Sequence, residues 1–287
     1  MRHHTSNAVH TQQRFIRTQR SESSCLSTFN LLTSDLLLDE LEKQLPDHRE
    51  RLFPPTEALA MFIAQAMSSD RSCQHAVNQA AIHRLVSGLP QCSTQTGGYC
   101  RARKRLPVDM ISGLTRYLGE QIDRQLPEKW RWQGRRVRLV DGTSVTMPDT
   151  VANQTELPQQ GGQRDGLGFP ICRIVGITCL SSGALLNSAI GRFNGKGSDE
   201  QTLLRSIEST LEAGDVLLGD AFFPTYFFIA RMQAKGVDIL MEQQGARKRV
   251  TDFRRGQHLG TRDHIIRLNK PKIKPDWMDE STYREAP

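Results

Sequence analysis

The sequence lacks the features that define several common classes of protein. None of its six cysteines stands in a CxxC pair, and its eight histidines form no ligand pattern. No P-loop, GxGxxG motif or nucleophile elbow occurs, so nucleotide hydrolysis and serine catalysis have no support. The polar N-terminus has no apolar signal region, and the most apolar stretch, residues 221–230, is interrupted by Pro224. We therefore expect a cytoplasmic protein with reduced cysteines and no membrane partner.

Acidic residues are outnumbered, and their distribution along the chain is uneven. There are 38 Lys and Arg residues against 31 Asp and Glu residues, which gives a net charge of +7. Nucleic acid is the commonest acidic partner of such a protein. Residues 131–220 nevertheless carry 9 basic and 10 acidic side chains, and basic segments flank them. This distribution is typical of a cation site between two polyanion-binding regions.

The periodicity of the sequence divides it into four segments. Residues 1–28 are polar, and we expect a disordered tail. Residues 29–130 have helical spacing throughout, as in a small DNA-binding region. Residues 131–242 predict the order β-β-β-α-β-α-β, an α/β arrangement with a mixed sheet. Residues 243–287 are short, basic and broken by proline, which favours β-rich or irregular structure.

Two aspartates follow apolar runs that resemble buried strands. Asp141 follows residues 136–140, and Asp220 follows residues 216–219. A carboxylate in such a position is costly unless it is paired, and a divalent metal ion is a common partner. If the strands are neighbours, both carboxylates emerge at one edge and could hold Mg²⁺ (or Mn²⁺) for phosphate chemistry. The alternative is that each aspartate only caps a turn, because a glycine adjoins both.

Three motifs occur in a specific order: Asp141-Gly142-Thr143, then residues 166–170 (Gly-Leu-Gly-Phe-Pro), then residues 214–220 (Gly-Asp-Val-Leu-Leu-Gly-Asp). Together they resemble the bacterial insertion-sequence transposases of the IS-four group, from about Phe29 to the end of the chain. The resemblance implies a ribonuclease H-like catalytic core flanked by helices, an all-helical N-terminal DNA-binding region and a β-rich C-terminal insertion. It also implies that Asp141 and Asp220 are catalytic, as the two metal-binding aspartates of a DDE triad.

The glutamate of that triad has no clear counterpart. The resemblance places it on a helix beyond the insertion, within a Tyr, Arg, Glu and Lys signature, and implies that this chain ends inside the insertion. Tyr283-Arg284-Glu285 matches that signature only in part, because Tyr and Arg are adjacent. Glu242 follows the fifth predicted strand and could approach the metal site, although the family places its acid elsewhere.

Basic residues form two clusters that could contact DNA. The first lies on a predicted helix after a Thr-Gly-Gly turn, as in helix-turn-helix proteins, and comprises Arg101, Arg103, Lys104 and Arg105. A solvated helix face explains this cluster equally well. The second would make salt-dependent phosphate contacts and comprises Arg247, Lys248, Arg249, Arg254 and Arg255, followed by Lys270, Lys272 and Lys274. Arg136 and Arg138 share one face of the first strand, either near the cleaved DNA strand or on an exposed sheet face.

Three functions remain open from the sequence. The first is a metal-dependent DNA transposase that hydrolyses the ends of its element, at the terminal inverted repeats, and joins them to target DNA as a homodimer on paired ends. The second is a non-catalytic DNA-binding remnant of a decayed element. The third is a metal-dependent nuclease unrelated to transposition, which would need a third acid among Asp199, Glu200 and Glu242.

Overall fold

A computed structural model of the protein describes residue 39 and residues 52–162, 164, 166–243, 254, 256–261 and 263–287. The predicted tail, the leucine-rich segment that follows it, and the candidate DNA contacts Arg247, Lys248, Arg249 and Arg255 lie outside these residues. The chain forms two compact units, residues 1–114 and residues 115–287. Within the described ranges, no helix combines the length and the apolar character needed to cross a membrane.

Between residues 52 and 114, the described part of the first unit is helical. Its described helices are α1 (Pro55–Met67), α2 (Cys73–Val86), α3 (Thr96–Lys104) and the beginning of α4 (Val108–Arg124). A proline at the first position begins α1, and Ser72 caps α2 by accepting a hydrogen bond from the His75 amide. The first three helices pack around the buried side chains of Ala58, Met61, Ala76, Val77, Tyr99 and Ala102.

The second unit contains a five-stranded mixed sheet, which agrees with the predicted fold class. Its elements are β1 (Val137–Thr146), α5 (Val151–Glu156), β2 (Ile171–Cys179), β3 (Leu185–Arg192), α6 (Glu200–Ile207), β4 (Val216–Gly219), α7 (Tyr226–Ala234) and β5 (Asp238–Met241). The strand order is β3-β2-β1-β4-β5. The first three strands pair antiparallel, whereas β4 runs parallel to both β1 and β5.

Helices α6 and α7 cover one face of this sheet. Val140, Val175 and Leu217 face them and share a buried cluster with Leu204 of α6 and Met232 of α7. Residues that alternate with these project from the other face, where Leu139 is 37% exposed and Leu240 is 62% exposed. This second face is exposed only in part, because Val137 and Val216 on it are buried.

Two short helices occur where the sequence predicted loop or irregular structure. Helix α5 lies in the segment after β1. Thr150 caps its first turn, since the Thr150 hydroxyl accepts a hydrogen bond from the Asn153 amide. Helix α8 (Glu280–Glu285) begins after Asp279, whose carboxylate accepts hydrogen bonds from the Ser281 hydroxyl and the Thr282 amide. These bonds, that from Ser281 above all, hold the pKa of Asp279 well below its usual range. Strands β6 (Gln257–Gly260) and β7 (Asp263–Ile265) pair antiparallel in a separate two-stranded sheet.

A buried ion pair at the start of the sheet corrects the expected roles of Arg136 and Arg138. Arg138 donates two hydrogen bonds to Asp123 at 2.6 and 2.8 Å, and its Nε lies 3.3 Å from Asp215 Oδ2. Arg136 Nε lies 3.0 Å from the other oxygen of Asp215, and this guanidinium also reaches Glu212. Arg138 is only 3% exposed, so it lies neither on an exposed face nor where DNA could reach it.

This cluster joins the end of α4 to the first residues of β1 and the residue before β4. Burial opposes the charge of Asp123, but the Arg138 hydrogen bonds outweigh that effect and lower the pKa of the carboxyl group. The ion pair therefore fixes the position of β1 relative to β4, the two strands that lead to the candidate catalytic residues Asp141 and Asp220.

Candidate active site

Asp141 and Asp220 occupy equivalent positions on neighbouring parallel strands. The pairing of β1 with β4 runs from Val137 opposite Val216 to Leu139 opposite Leu218. Two residues beyond this last pair come the two aspartates, Asp141 within β1 and Asp220 directly after β4, and both are exposed. Because adjacent strands lie about 4.8 Å apart, the two carboxylates can share one cation. The sequence predicts that both carboxylates emerge at one edge of the sheet if the two strands are neighbours. The structure shows that β1 and β4 are neighbours.

The two carboxylates lie at one edge of the sheet. Val140 belongs to the buried core, and a Cβ atom at Gly219 would lie 2.9 Å from Val140 Cγ1, so these two positions face the helices. Asp141, the next residue within β1, therefore lies on the face that α6 and α7 leave uncovered. Asp220 is the first residue after β4 and begins the turn that follows it.

Each aspartate also makes a local hydrogen bond of the kind that the turn-capping alternative predicts. The Gly142 amide donates to Asp141 Oδ1 at 2.8 Å, and the Phe222 amide donates to Asp220 Oδ1 at 2.9 Å. An ionised carboxylate has about four acceptor positions on two oxygens. One backbone hydrogen bond leaves room for a cation, so turn capping and metal binding are compatible here.

Asp199 and Glu200 are poorly placed to be a third ligand. The Asp199 carboxylate caps α6, where it accepts hydrogen bonds from the Thr202 amide at 3.0 Å and from its hydroxyl at 2.8 Å. Burial disfavours its charge, but these bonds prevail and lower its pKa. Glu200 lies against Gly142, where an added Cβ would be 2.4 Å from Glu200 Cδ. Since Gly142 faces the helices, Glu200 lies on the opposite side of β1 from Asp141.

Glu242 continues the row that the two aspartates begin. In the pairing of β4 with β5, Gly219 is opposite Met241, so Asp220 and Glu242 are the next residues on their strands. Glu285, in contrast, ends α8, whose Tyr283 ring packs on Phe227 of α7 and thus on the other side of the sheet. Across the described residues, no three histidine, cysteine or acidic side chains are grouped closely enough to hold a metal ion.

The sequence of this second unit matches a known family. A profile described as the transposase DDE domain matches residues 132–284, which is more than half of the chain. The chain belongs to the transposase DDE domain family. Against curated proteins the sequence has no significant match. The matched DDE domain contains the whole five-stranded sheet and both aspartates, and its members act on DNA and generally depend on a divalent metal ion.

The donors of this DDE domain fit such a cation. Asp141 and Asp220 supply hard carboxylate oxygens, which suit Mg²⁺ or Mn²⁺ better than Zn²⁺. Both side chains are exposed, so an ion and a DNA phosphate can reach them without any rearrangement of the core. A divalent ion held by these two carboxylates would keep further coordination positions for water and phosphate oxygens.

The first basic cluster divides between two environments. Arg101, Lys104 and Arg105 are exposed on and just after α3. The Arg103 side chain instead turns inward, where Nη1 donates to Gln65 Oε1 at 3.3 Å and the guanidinium lies 4.6 Å from the centre of the Phe62 ring. Arg103 thus stabilises the helical unit, and its contact with DNA stays a prediction.

The second basic cluster is described only in part. Arg254 is exposed. Lys270 Nζ donates to the Ala286 carbonyl at 2.6 Å, and Lys274 Nζ donates to the Met278 carbonyl at 2.7 Å. These two lysines therefore stabilise the C-terminal segment through hydrogen bonds within it. The spacing of charges along the sequence does not predict this role.

Proposed function

We propose that this protein is a DNA transposase of the insertion-sequence type, of the IS-four group, with a ribonuclease H-like catalytic core. The proposal depends above all on the register of β1 and β4, which brings Asp141 and Asp220 to one edge of the sheet, each two residues beyond the pair Leu139 and Leu218. A turn-capping role alone gives no reason for the two acids to meet at one edge. Membership of the DDE family supplies the chemistry that such a pair would perform.

In this mechanism the carboxylates of Asp141 and Asp220 would hold a divalent cation and position the phosphodiester beside it. A cation held there would supply Lewis acidity to the phosphodiester. Asp141 is held by β1 and by the Gly142 amide, and Asp220 by the turn that begins at β4. Water would attack first at the end of the element, and the freed 3′ hydroxyl would then attack target DNA.

The helical region, residues 29–130, would bind the terminal inverted repeats. Exposed Arg101, Lys104 and Arg105 form a positive surface on and just after α3, which suits the phosphate backbone. Arg254 and the basic residues around it would add contacts from within the DDE domain. A homodimer on paired ends would bring both ends of the element to the target.

The deciding experiment is Mg²⁺-dependent nicking of a duplex that carries the inverted repeats flanking the coding sequence. The purified chain should nick one strand at the end of the repeat, and both Asp141→Asn and Asp220→Asn should abolish nicking while preserving DNA binding. The matched control is Asp149→Asn, which changes an exposed aspartate outside the row. Nicking that survives both active-site variants would overturn the assignment.

The same assay tests a non-catalytic alternative. Among the described residues no group of three ligands is assembled, so the chain could bind the repeat without cutting it. Repeat binding with no nicking in Mg²⁺ or Mn²⁺ would establish the protein as a DNA-binding remnant of a decayed element.

A nuclease unrelated to transposition is favoured by one observation, the position of Glu242 in the carboxylate row. That function predicts cleavage of DNA without inverted repeats, and loss of cleavage in Glu242→Gln. Cleavage confined to the repeats, with Glu242→Gln as active as the wild type, would exclude it.

A further inference from the structure

A tight hairpin turn precedes the first strand of the sheet. Trp132 and Arg135 exchange both backbone hydrogen bonds, at 3.0 and 2.9 Å, and form an antiparallel bridge. Between them Gln133 has a φ of 50° and Gly134 a φ of 79°, the positive values that a type I′ turn requires at both positions. Among the described residues, Gln133 alone has a positive φ without being a glycine. Because such a conformation persists only where the surroundings fix it, the turn has a specific, imposed shape.

The base of this hairpin is attached to the sheet. The Arg135 side chain donates to the backbone carbonyls of residues 214 and 215 at 2.9 and 3.1 Å, and its Nη1 lies 2.6 Å from Asp238 Oδ2. On the other side of the hairpin, the Ser181 hydroxyl donates to the Trp130 carbonyl at 2.8 Å. These contacts come from three separate segments of the second unit, so the sheet fixes the position of the hairpin.

The hairpin presents two large aromatic side chains to solvent. Trp130 is 50% exposed and Trp132 is 52% exposed. Arg131 between them is extended, with a φ of −80° and a ψ of 139°. Since an extended chain rises about 3.3 Å for each residue, the two tryptophans start from backbone positions about 6.6 Å apart. Two exposed indole rings this close together can contact the same base or adjacent bases of a nucleic acid.

Positive charge accompanies the two rings. Lys129 is exposed, and Arg131 is half-buried. Within the part of the chain that the structure describes, neither side chain forms an ion pair, and the buried Nε of Arg131 has no hydrogen-bond partner. Glu128 is the one acid in residues 125–136, against four basic residues. A phosphate group beside the rings would give Lys129 and Arg131 a charged partner.

We propose that this hairpin is a binding site for unpaired DNA, in which Trp130 and Trp132 stack on bases while Lys129 and Arg131 bind the adjoining phosphates. Aromatic rings beside basic side chains bind single strands of any sequence, because every base has a flat face on which a ring can stack. Bases within an intact duplex are already stacked on each other, so the site selects single strands and frayed ends. The inference rests on the proposed action on DNA, but it involves no catalytic aspartate and needs no cation.

The first test uses the full wild-type chain in EDTA, with oligodeoxynucleotides that lack the inverted repeats. A strand carrying 5-iododeoxyuridine should photocross-link to the peptide that contains residues 129–135, and it should do so more efficiently when single-stranded than when paired in a blunt duplex. EDTA prevents cutting, and the wild-type chain removes any dependence on how variants fold. Cross-links confined to other peptides would overturn the proposal, as would equal cross-linking of the single strand and the duplex.

Variants then test whether the rings stack. Trp130→Ala and Trp132→Ala should each weaken single-strand binding at least about fivefold. Trp132→Phe should keep most of the affinity because a flat ring remains, whereas Trp132→Leu should lose as much as Trp132→Ala. The matched control is Trp277→Phe, which changes a tryptophan that packs against Arg205, and it should bind like the wild type. Wild-type affinity in Trp132→Leu would overturn the proposal, since an apolar surface for a protein or a lipid needs no flat ring.

These measurements are independent of the nicking assay. Single-strand binding that depends on Trp130 and Trp132, in a chain that never nicks the repeats, would support the hairpin site and count against the transposase function. Nicking of the repeats with unchanged single-strand affinity in both alanine variants would overturn the hairpin site and leave the transposase function intact.

Discussion

Replacing Arg138 with methionine should destabilise the second unit strongly. The change keeps most of the side-chain volume but removes the partner of Asp123, which is 8% exposed, and one partner of Asp215, which is fully buried. Breaking a buried ion pair costs about 3–5 kcal/mol. Arg136 still lies 3.0 Å from Asp215 and 3.8 Å from Asp123, so we expect the lower end, about 3 kcal/mol.

Thermal unfolding followed by circular dichroism measures this loss. For a unit of this size, about 3 kcal/mol corresponds to a Tm that falls by about 6–12 °C. The matched control is Arg124→Met, because Arg124 is 70% exposed and pairs with Glu120 one turn away. The control should change stability by no more than about 0.5 kcal/mol. An Arg138→Met protein that unfolds at the temperature of the control would refute the structural role of the buried pair.

Three further changes probe other parts of the molecule. Gly119→Ala should destabilise the protein by about 1–3 kcal/mol in urea unfolding, because the new Cβ would lie 2.4 Å from the Leu185 carbonyl oxygen. Lys104→Ala and Arg101→Ala should each weaken repeat binding, and the slope of log K against log salt should become shallower by about 0.9 for each phosphate that the variant no longer neutralises. The pKa of Asp123 is lowered in the folded state. The ionised carboxylate therefore stabilises the fold fully above the ordinary carboxyl pKa of about 3.9, and this stabilisation is lost as the pH falls further. Asp123→Asn should accordingly make the free energy of unfolding depend less steeply on pH in the acid range.

Each of these has a clear contrary result. A stabilising Gly119→Ala would show that the helix and the strand are further apart in solution, since alanine normally improves a helix by about 1 kcal/mol. Unchanged salt dependence in both α3 variants would remove that helix from the DNA-binding surface. An acid limb that is as steep in Asp123→Asn as in the wild type would assign the pH dependence to other carboxylates.

Local sequence signals predicted most of the elements. Pro55 marks the first position of α1, and Asp199 marks the cap of α6. The apolar runs before the two aspartates predicted buried strands, and Val140 and Leu217 in those runs are buried. These signals act between residues that are close along the chain, which is why the sequence contains them. The alignment of Asp141 with Asp220 also followed, once two apolar strands that are distant in sequence were taken as neighbours.

Contacts between distant segments could not be predicted in the same way. Arg138 looked like an exposed or DNA-facing residue, because its partners Asp123 and Asp215 come from a helix and a turn that only the fold brings to it. Arg103 looked like one of four equivalent bases, and only the packing of α3 turns it toward Gln65. In both cases the charge was evident from the sequence, and its environment was not.

The central claim is that Asp141 and Asp220 together hold the divalent cation, and Mn²⁺ binding measured by electron paramagnetic resonance tests it most directly. The folded wild-type chain should bind Mn²⁺, Asp141→Asn and Asp220→Asn should each weaken binding by about tenfold or more, and Asp149→Asn should bind like the wild type. Wild-type affinity in both active-site variants would contradict the account.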